Sequence, residues 1–379
     1  MPYPIRDGSE FTFHAPVKLH HARGAIDRLG ELLPPARRIL LVTGQGSARR
    51  TGLLARVQAA LAGHDHVEVF EGVEPNPSVA TVQRGAEIAR QRMSELVIGL
   101  GGGSALDAAK VIAALATNEG GFAANAPLEA LPAAPLPMVA VPTTCGTGSE
   151  ANRYAIITDP TRGEMGDKVN FSTDQTYPAL GVLDPSVLDA LPDDILIDTA
   201  LDAFCHALEG YTSRRSQPLP DALAAEAMAL VIGQLPAAVA GDRDARANLL
   251  WASAIAGVVI NHTGTTVLHA LGYYLTLKLG IPHGRANAML VPVLLDYLRE
   301  QIPAKVRHVL SLFDAASPSL PAVRAYLDRL GVESRLSDRG FGKADLGPII
   351  EYTINKRNTA LTVGTVDQAV LNDLLSRYA

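Results

Sequence analysis

The sequence predicts an α/β domain over residues 1–185 followed by an all-α domain over residues 186–379, and three observations predict it. Up to about residue 185, short β-branched runs alternate with amphipathic helical patterns, the grammar of βαβ units in a mostly parallel sheet. Beyond that point strand signals nearly vanish and long periodicities of 3.6 residues take over. At 379 residues the chain also exceeds the roughly 250–300 residues at which one hydrophobic core stops growing.

The elements follow in order. RRILLVTG reads as a strand closed by glycine, and TGLLARVQAALAG as the helix after it. HVEVFEGV is a strand and VATVQRGAEIARQR a helix; ELVIGLGGGS runs a strand into a glycine loop that opens the helix ALDAAKVIAALATN. PMVAVPTT is a further buried strand, reached through the proline-spotted LEALPAAPLPM. Right-handed crossovers put helices on both faces of such a sheet. Past LDPSVLDAL, the segments LIDTALDAFCHALEGYTS, DALAAEAMALVIGQL, ARANLLWASAIAGVVI and TVDQAVLNDLLSRY all read as helices. No internal repeat or low-complexity tract interrupts them.

Bulk properties narrow the function. Hydrophobic content of 47% against 19% charged residues describes a globular chain. A net charge of −6 and a pI near 5.9 argue against nucleic acid or an anionic membrane surface as the main partner. MPYPIRDGSEF lacks the apolar core of a signal peptide, and uninterrupted apolar runs such as LWASAIAGVVI are too short to cross a bilayer. Two cysteines, Cys145 and Cys205, cannot make a disulfide framework and point to a reducing compartment. The expectation is a cytoplasmic protein with no nucleic-acid or membrane partner.

Three glycine-containing loops close predicted strands. GLGGGSALDAAK offers Gly101, Gly102, Gly103 and Ser104 at a helix N-terminus, where backbone N–H groups and the helix dipole suit a pyrophosphate. A plain tight turn is the alternative, and Ser104 stands where the general dinucleotide fingerprint has glycine or alanine. VTGQGSARRTG presents Gly44, Gln45, Gly46 and Ser47 ahead of Arg49 and Arg50, with none of the acids that accept hydrogen bonds from an adenosine ribose and repel a 2′-phosphate. It fits a phosphate equally well as it fits a surface helix start with solvated arginines. VPTTCGTGSE puts Thr143, Thr144 and Thr147 at a carboxyl strand end, suited to a ligand or to ordinary turn chemistry.

Among ten histidines, four lie in the helical half with interpretable surroundings: His206, His262, His269 and His283. DAFCHALE places Asp202 and His206 at i and i+4 on one helix face, where they can share a metal or simply hydrogen-bond. HALGYYLTLKLGIPH then begins with His269 and ends with His283. Three neutral imidazoles and one carboxylate fit a single divalent ion of the Fe(II) or Zn(II) kind, with net positive charge left for Lewis-acid chemistry.

The order of these motifs resembles the iron-dependent (group III) metal-containing alcohol dehydrogenases, a family related to glycerol dehydrogenase and dehydroquinate synthase. EPNPSVATVQRGAEIAR, GLGGGSALDAAK, VPTTCGTGSE, LDPSVLDALP, DAFCHALE and PHGRANAMLVP carry the resemblance over nearly the whole chain. It implies a dehydroquinate synthase-like architecture: an α/β dinucleotide-binding domain plus an all-α metal-binding domain. It makes Asp202, His206, His269 and His283 the metal ligands, with Fe2+ ahead of Zn2+. It matches Gly101 to Ser104 with the pyrophosphate loop, Asp107 with a cofactor contact, and Asn76, Thr143, Thr144, Thr147 and Lys168 with the nicotinamide side.

Many family members carry a second histidine four residues after the first, where this chain has Tyr273. Tyrosine, with a pKa near 10, shuttles protons poorly at neutral pH, which tells against a proton relay at this position; Lys168 and Tyr273 are the catalytic candidates. The glycine-rich turn at Gly44, Gly46 and Ser47 resembles members that use NADP rather than NAD. The implied reaction is hydride transfer between NAD(P)(H) and a small primary alcohol or aldehyde, in a homodimer or larger homo-oligomer. Tyr154, Tyr273 and Tyr274 are the candidate pocket walls. The rival readings are a dehydroquinate synthase-like lyase, for which Lys168 and Arg285 are the few basic candidates, and a catalytically silent protein that keeps metal and nucleotide.

Overall fold

A computed structural model describes residues 10–126, 128–162, 167–333 and 335–378; the opening MPYPIRDGS, read above for a signal peptide, lies outside them. The chain forms two compact units, residues 15–191 and a second made of residues 10–14 and 192–378.

In the first unit, strands β1 (Lys18–His21), β2 (Arg38–Gly44), β3 (His66–Val73), β4 (Leu96–Gly101), β5 (Met138–Pro142) and β8 (Leu180–Leu183) form one sheet in the order β1-β8-β5-β4-β2-β3. Every pairing in it is parallel. Strands β6 (Ile156–Asp159) and β7 (Asp167–Asn170) make a separate antiparallel pair. The helices are α1 (Leu29–Leu32), α2 (Ser47–Arg50), α3 (Leu53–Ala60), α4 (Val79–Gln91), α5 (Gly103–Thr117) and α6 (Gly121–Asn125). Because side chains alternate along a strand, Leu40, Val42 and Val97 join one core with α4 and α5, while Ile39, Leu41 and Ile98 join another with α3. Burial on both faces is why these strands read as continuous apolar runs.

The strand order sets the position of the loops. From β2 the chain moves outward to β3, then returns to β4 on the other side of β2. The reversal falls between β2 and β4, and in open α/β sheets ligands bind outside the carboxyl ends of the strands at such a point. Gly44 ends β2 and Gly101 ends β4.

The second unit is helical: α7 (Asp193–Thr212), α8 (Pro218–Val239), α9 (Arg243–Thr263), α10 (Val267–Leu279), α11 (His283–Met289), α12 (Val291–Gln301), α13 (Pro303–Phe313), α14 (Leu320–Arg329), α15 (Leu346–Ile354) and α16 (Gln368–Ser376). Asp193 and Asp194 favour the α7 start through the helix dipole, and Asp242 caps α9 by accepting from Asp244 N and Ala245 N, each at 2.9 Å. Helix α10 ends at Gly280, whose φ of 66° is the left-handed stop that glycine allows, and Pro282 opens the next helix. By length and composition α8 is apolar enough to cross a membrane. One face of it packs within the unit: Ala224, Ala227, Met228, Val231, Leu235 and Ala238 are buried at three- and four-residue spacing, and Asp221 pairs with Lys305 at 2.7 Å.

Candidate functional site

The predicted ligands come from three helices of the second unit: Asp202 and His206 from α7, His269 from the first turn of α10, and His283 at the start of α11. One ligand atom each from Asp202, His269 and His283 lies within 4.8 Å of the others. His269 Nε2 stands 3.7 Å and His283 Nε2 3.9 Å from Asp202 Oδ1. His206 lies beside this trio, with Nδ1 4.0 Å from Asp202 Oδ2 and its ring stacked on that of His269 at 4.7 Å. His262 is elsewhere: it stacks on Phe13, bonds Val258 O through Nδ1 and accepts from His14 N through Nε2.

Two glycines let the helices approach. A Cβ on Gly284 would fall 1.8 Å from Asp198 O, so α11 packs on α7 only with glycine beside His283. A Cβ on Gly272 would fall 1.9 Å from Asn287 Oδ1, which keeps α10 against α11.

Whether the donor set fits a cation can be judged from what already sits among it. Asn287 Nδ2 donates to Asp202 Oδ1 at 2.9 Å and lies 3.1 Å from His269 Nε2 and 3.2 Å from His283 Nε2. Asp202 Oδ1 and the Nε2 atoms of His269 and His283, from three helices, therefore converge on one amide nitrogen, while Asn287 Oδ1 is buried with no hydrogen-bond partner among the described residues. Burial alone would raise the Asp202 carboxyl, but His206, His283, His269 and the Asn287 bond outweigh it and hold it below the usual carboxylate range. An ionised carboxylate with imidazole nitrogens aimed at one point is a fit donor set for a divalent ion.

The nucleotide-loop residues assemble in the first unit. Asn76 adopts a left-handed φ of 57°, donates its backbone N–H to Ser104 Oγ at 3.2 Å, and accepts from Lys168 Nζ through Oδ1. The EPNP loop, the GGGS loop and β7 are thus locked together through three residues that the sequence singles out. Thr143 N donates to Gly101 O at 3.0 Å, and a Cβ on Gly103 would meet the Thr147 side chain at 2.6 Å. These glycines consequently admit the threonine loop at close range to the α5 start. Asp107 turns inward, taking Ser149 Oγ at 2.6 Å and Ile156 N at 2.9 Å.

In the VTGQGS turn, Gly46 has a φ of 88° and starts α2. Arg49 forms an ion pair with Glu71 on β3 at 2.6 Å while remaining largely exposed, as the surface-helix reading expects. Arg50 Nη1 would lie 3.2 Å from a Cβ on Gly46, which puts its guanidinium over the turn.

Residues 16–185 match the family described as iron-containing alcohol dehydrogenase, and residues 196–378 match its C-terminal family. The chain belongs to the iron-containing alcohol dehydrogenase family. It is 33% identical over 367 residues to 1,3-propanediol dehydrogenase of Citrobacter freundii, covering 92% of this chain and 93% of that one. It is 30% identical over 371 residues to the NADPH-dependent aldehyde reductase YqhD of Escherichia coli, covering 90% and 92%. Sulfoacetaldehyde reductase of Bifidobacterium kashiwanohense, solved in complex with NAD+, superposes with a TM-score of 0.88 at 26% identity, covering 98% of this chain and 99% of that one.

As an iron-containing alcohol dehydrogenase, the protein is a metal-dependent oxidoreductase of alcohols and aldehydes that works with a nicotinamide nucleotide. The basic residues weighed for a lyase are engaged within the fold: Lys168 on Asn76, and Arg285 on Asp198 at 2.9 Å. Tyr273 lies flat on His283, with ring centroids 5.3 Å apart and planes 10° from parallel. Tyr274 packs on Tyr352, and the Tyr154 carbonyl accepts from the buried Lys110.

Besides Asn287, two buried residues escape the sequence reading. Glu209, fully buried on α7, accepts from Thr266 and from His269. Its signal is positional, three residues after His206 and seven after Asp202 on the same helix face. Lys110 in α5 is buried with Nζ on Ser149 Oγ at 2.7 Å, and burial pushes it down to about 8. Within the helix pattern it reads as an ordinary surface lysine.

Proposed function

We propose that this enzyme interconverts small aldehydes and primary alcohols with NADP(H), using one Fe2+ held by Asp202, His206, His269 and His283. The observation that carries the reading is the convergence of Asp202, His269 and His283 on the Asn287 amide. Zn2+ accepts the same donors, and the family resemblance favours iron.

The chemistry such an ion supplies when bound is Lewis acidity, which lowers the cost of negative charge on an alcohol oxygen. A bound nicotinamide supplies the hydride acceptor or donor. The chain's own part is placement. Gly101 to Ser104 and the α5 N-terminus offer N–H groups to a pyrophosphate. Thr143, Thr144, Thr147 and the Asn76–Lys168 pair line the side assigned to the nicotinamide. Burial lowers the Lys168 ammonium, partly offset by Asp107, and its Nζ bonds Asn76 Oδ1 beside the glycine loop. Tyr273 lies flat on His283, where its hydroxyl is available as a hydrogen-bond donor.

Preference for NADP(H) rests on the missing acid at Gly44 and on the Arg50 guanidinium over Gly46. Glu71 is nearby, but its charge is balanced by Arg49. Relatives with each nucleotide occur, so the choice belongs to this turn. Two buried cysteines and the family resemblance support a cytoplasmic homodimer or larger homo-oligomer.

The test is oxidation of NADPH by a panel of short aldehydes, using protein loaded with Fe2+, chelator-stripped protein as the control and NADH as the comparison. Metal-dependent turnover favouring NADPH is the expected result. Turnover with NADH alone would discard the cofactor assignment, and no turnover despite bound metal would favour the lyase or the silent protein.

A further inference from the structure

Glu209 makes contacts that divide cleanly between its two oxygens. Oε1 accepts from Thr266 N at 2.6 Å, Thr266 Oγ1 at 2.7 Å and His269 N at 3.2 Å, all at the start of α10. Oε2 bonds His269 Nδ1. Both residues are fully buried, so no water competes for either oxygen.

A carboxylate has no proton to give, so His269 Nδ1 must be the donor in this contact. With Nδ1 protonated, Nε2 of a neutral imidazole carries the lone pair. That is the nitrogen 3.7 Å from Asp202 Oδ1 and 3.1 Å from Asn287 Nδ2. We propose that Glu209 is a positioning residue for the metal centre: it fixes the tautomer and ring orientation of His269 so that Nε2 is presented to the ion. The proposal rests on the metal reading above. Histidine ligands commonly hold their second nitrogen on a carboxylate, which raises ligand basicity as well as fixing geometry. Here the same side chain also caps α10, so the ring is fixed relative to the helix that carries it.

The purely structural alternative is that Glu209 only caps α10. Glu209→Gln separates the two. Glutamine keeps one oxygen for Thr266 and the His269 amide but turns an NH2 toward His269 Nδ1. Nδ1 would then have to accept, placing the proton on Nε2, the nitrogen meant for the ion. Thr266→Val is the converse control, removing a cap donor while leaving the Glu209–His269 contact.

The experiment uses the full-length, chelator-stripped protein and Co2+ alone as the probe. Dissociation constants come from competition with a chelator, the Co2+ visible spectrum reports the donor set, and thermal melts without metal report the fold. For Glu209→Gln the expected result is a melt close to that of the unaltered protein with Co2+ affinity reduced about 10–100-fold. For Thr266→Val the expectation is the opposite, a lower melt with affinity retained. Unchanged affinity and spectrum in Glu209→Gln, or its failure to fold, would make Glu209 a cap and overturn the proposal. Asp202→Asn, measured alongside, tells the two readings apart. If it also leaves affinity unchanged, the metal site itself falls; if it alone abolishes binding, only the role of Glu209 falls.

Discussion

Asn287 Nδ2 donates to Asp202 Oδ1 at 2.9 Å while facing the Nε2 atoms of His269 and His283 at 3.1 and 3.2 Å. One amide nitrogen thereby stands where the three groups converge, with two hydrogens to share among them. Replacing it with leucine leaves a buried carboxylate short of a donor, a loss of about 1–3 kcal/mol. A bound ion would restore that satisfaction. Asn287→Leu should therefore lower the melting temperature of stripped protein more than that of loaded protein. Calorimetry of both forms checks this, and equal losses would remove the amide from the account of the metal centre.

Gly284 tests how the site is assembled. A Cβ there would meet Asp198 O at 1.8 Å and Asp202 Cβ at 3.0 Å, and backbone cannot give way as a side chain can. Gly284→Ala should push α11 from α7, cost about 1–3 kcal/mol of stability, and carry His283 out of reach of Asp202. Reduced metal content at a temperature where the variant is folded is the expected outcome. Full metal content would mean that the helix spacing is not what places His283.

Much of this was legible in the sequence, for physical reasons that differ by element. Strands β2, β4 and β5 are buried on both faces and so stand out as apolar runs, and β3 at one edge is eight residues long and rich in valine, whereas β1 (KLHH) at the other edge is four residues long and mostly polar. β8 (LGVL) is as short and buried, with no length to separate it from a loop. Helix α7 is buried almost all round, so its 3.6 periodicity says little about which face holds the ligands. Asp202 and His206 were legible as a pair on one helix face because they keep helical spacing, whereas the four-residue ligand set came from the family resemblance. Glu209 and Asn287 were not, since a buried acid and a buried amide look like surface residues until their partners on other helices are known. Nor does sequence reveal that residues 10–14 pack with the helical unit, through Phe13 on His262.

Glu150 predicts a pH dependence. It is buried beside Lys110, its Oε1 has no hydrogen-bond partner among the described residues, and burial pushes its carboxyl up to about 7 from 4.5. The folded state then holds a proton that the unfolded chain releases between those values, so this group costs stability as pH rises through that window. Glu150→Gln lacks the titration. Its melting temperature relative to the unaltered protein should be higher at pH 8 than at pH 5. An identical difference at both values would contradict the raised carboxyl.

Lys168 separates binding from chemistry. Its ammonium is held on Asn76 beside the glycine loop, in reach of the nucleotide in the proposed arrangement. Lys168→Ala should raise the KM for NADPH about tenfold or more, the scale of one charged hydrogen bond, with a smaller effect on kcat. A fall in kcat at constant KM would move Lys168 from holding the cofactor to acting in the transition state.

The proposed function requires turnover to depend on an ion held by Asp202, His206, His269 and His283. The direct measurement is anaerobic titration of stripped protein with Fe2+, recording NADPH-dependent aldehyde reduction against metal occupancy. Turnover should rise in proportion to occupancy, level off at one ion per chain, and be absent from Asp202→Asn at every occupancy. Full turnover at zero occupancy, or undiminished turnover in Asp202→Asn, would contradict the account.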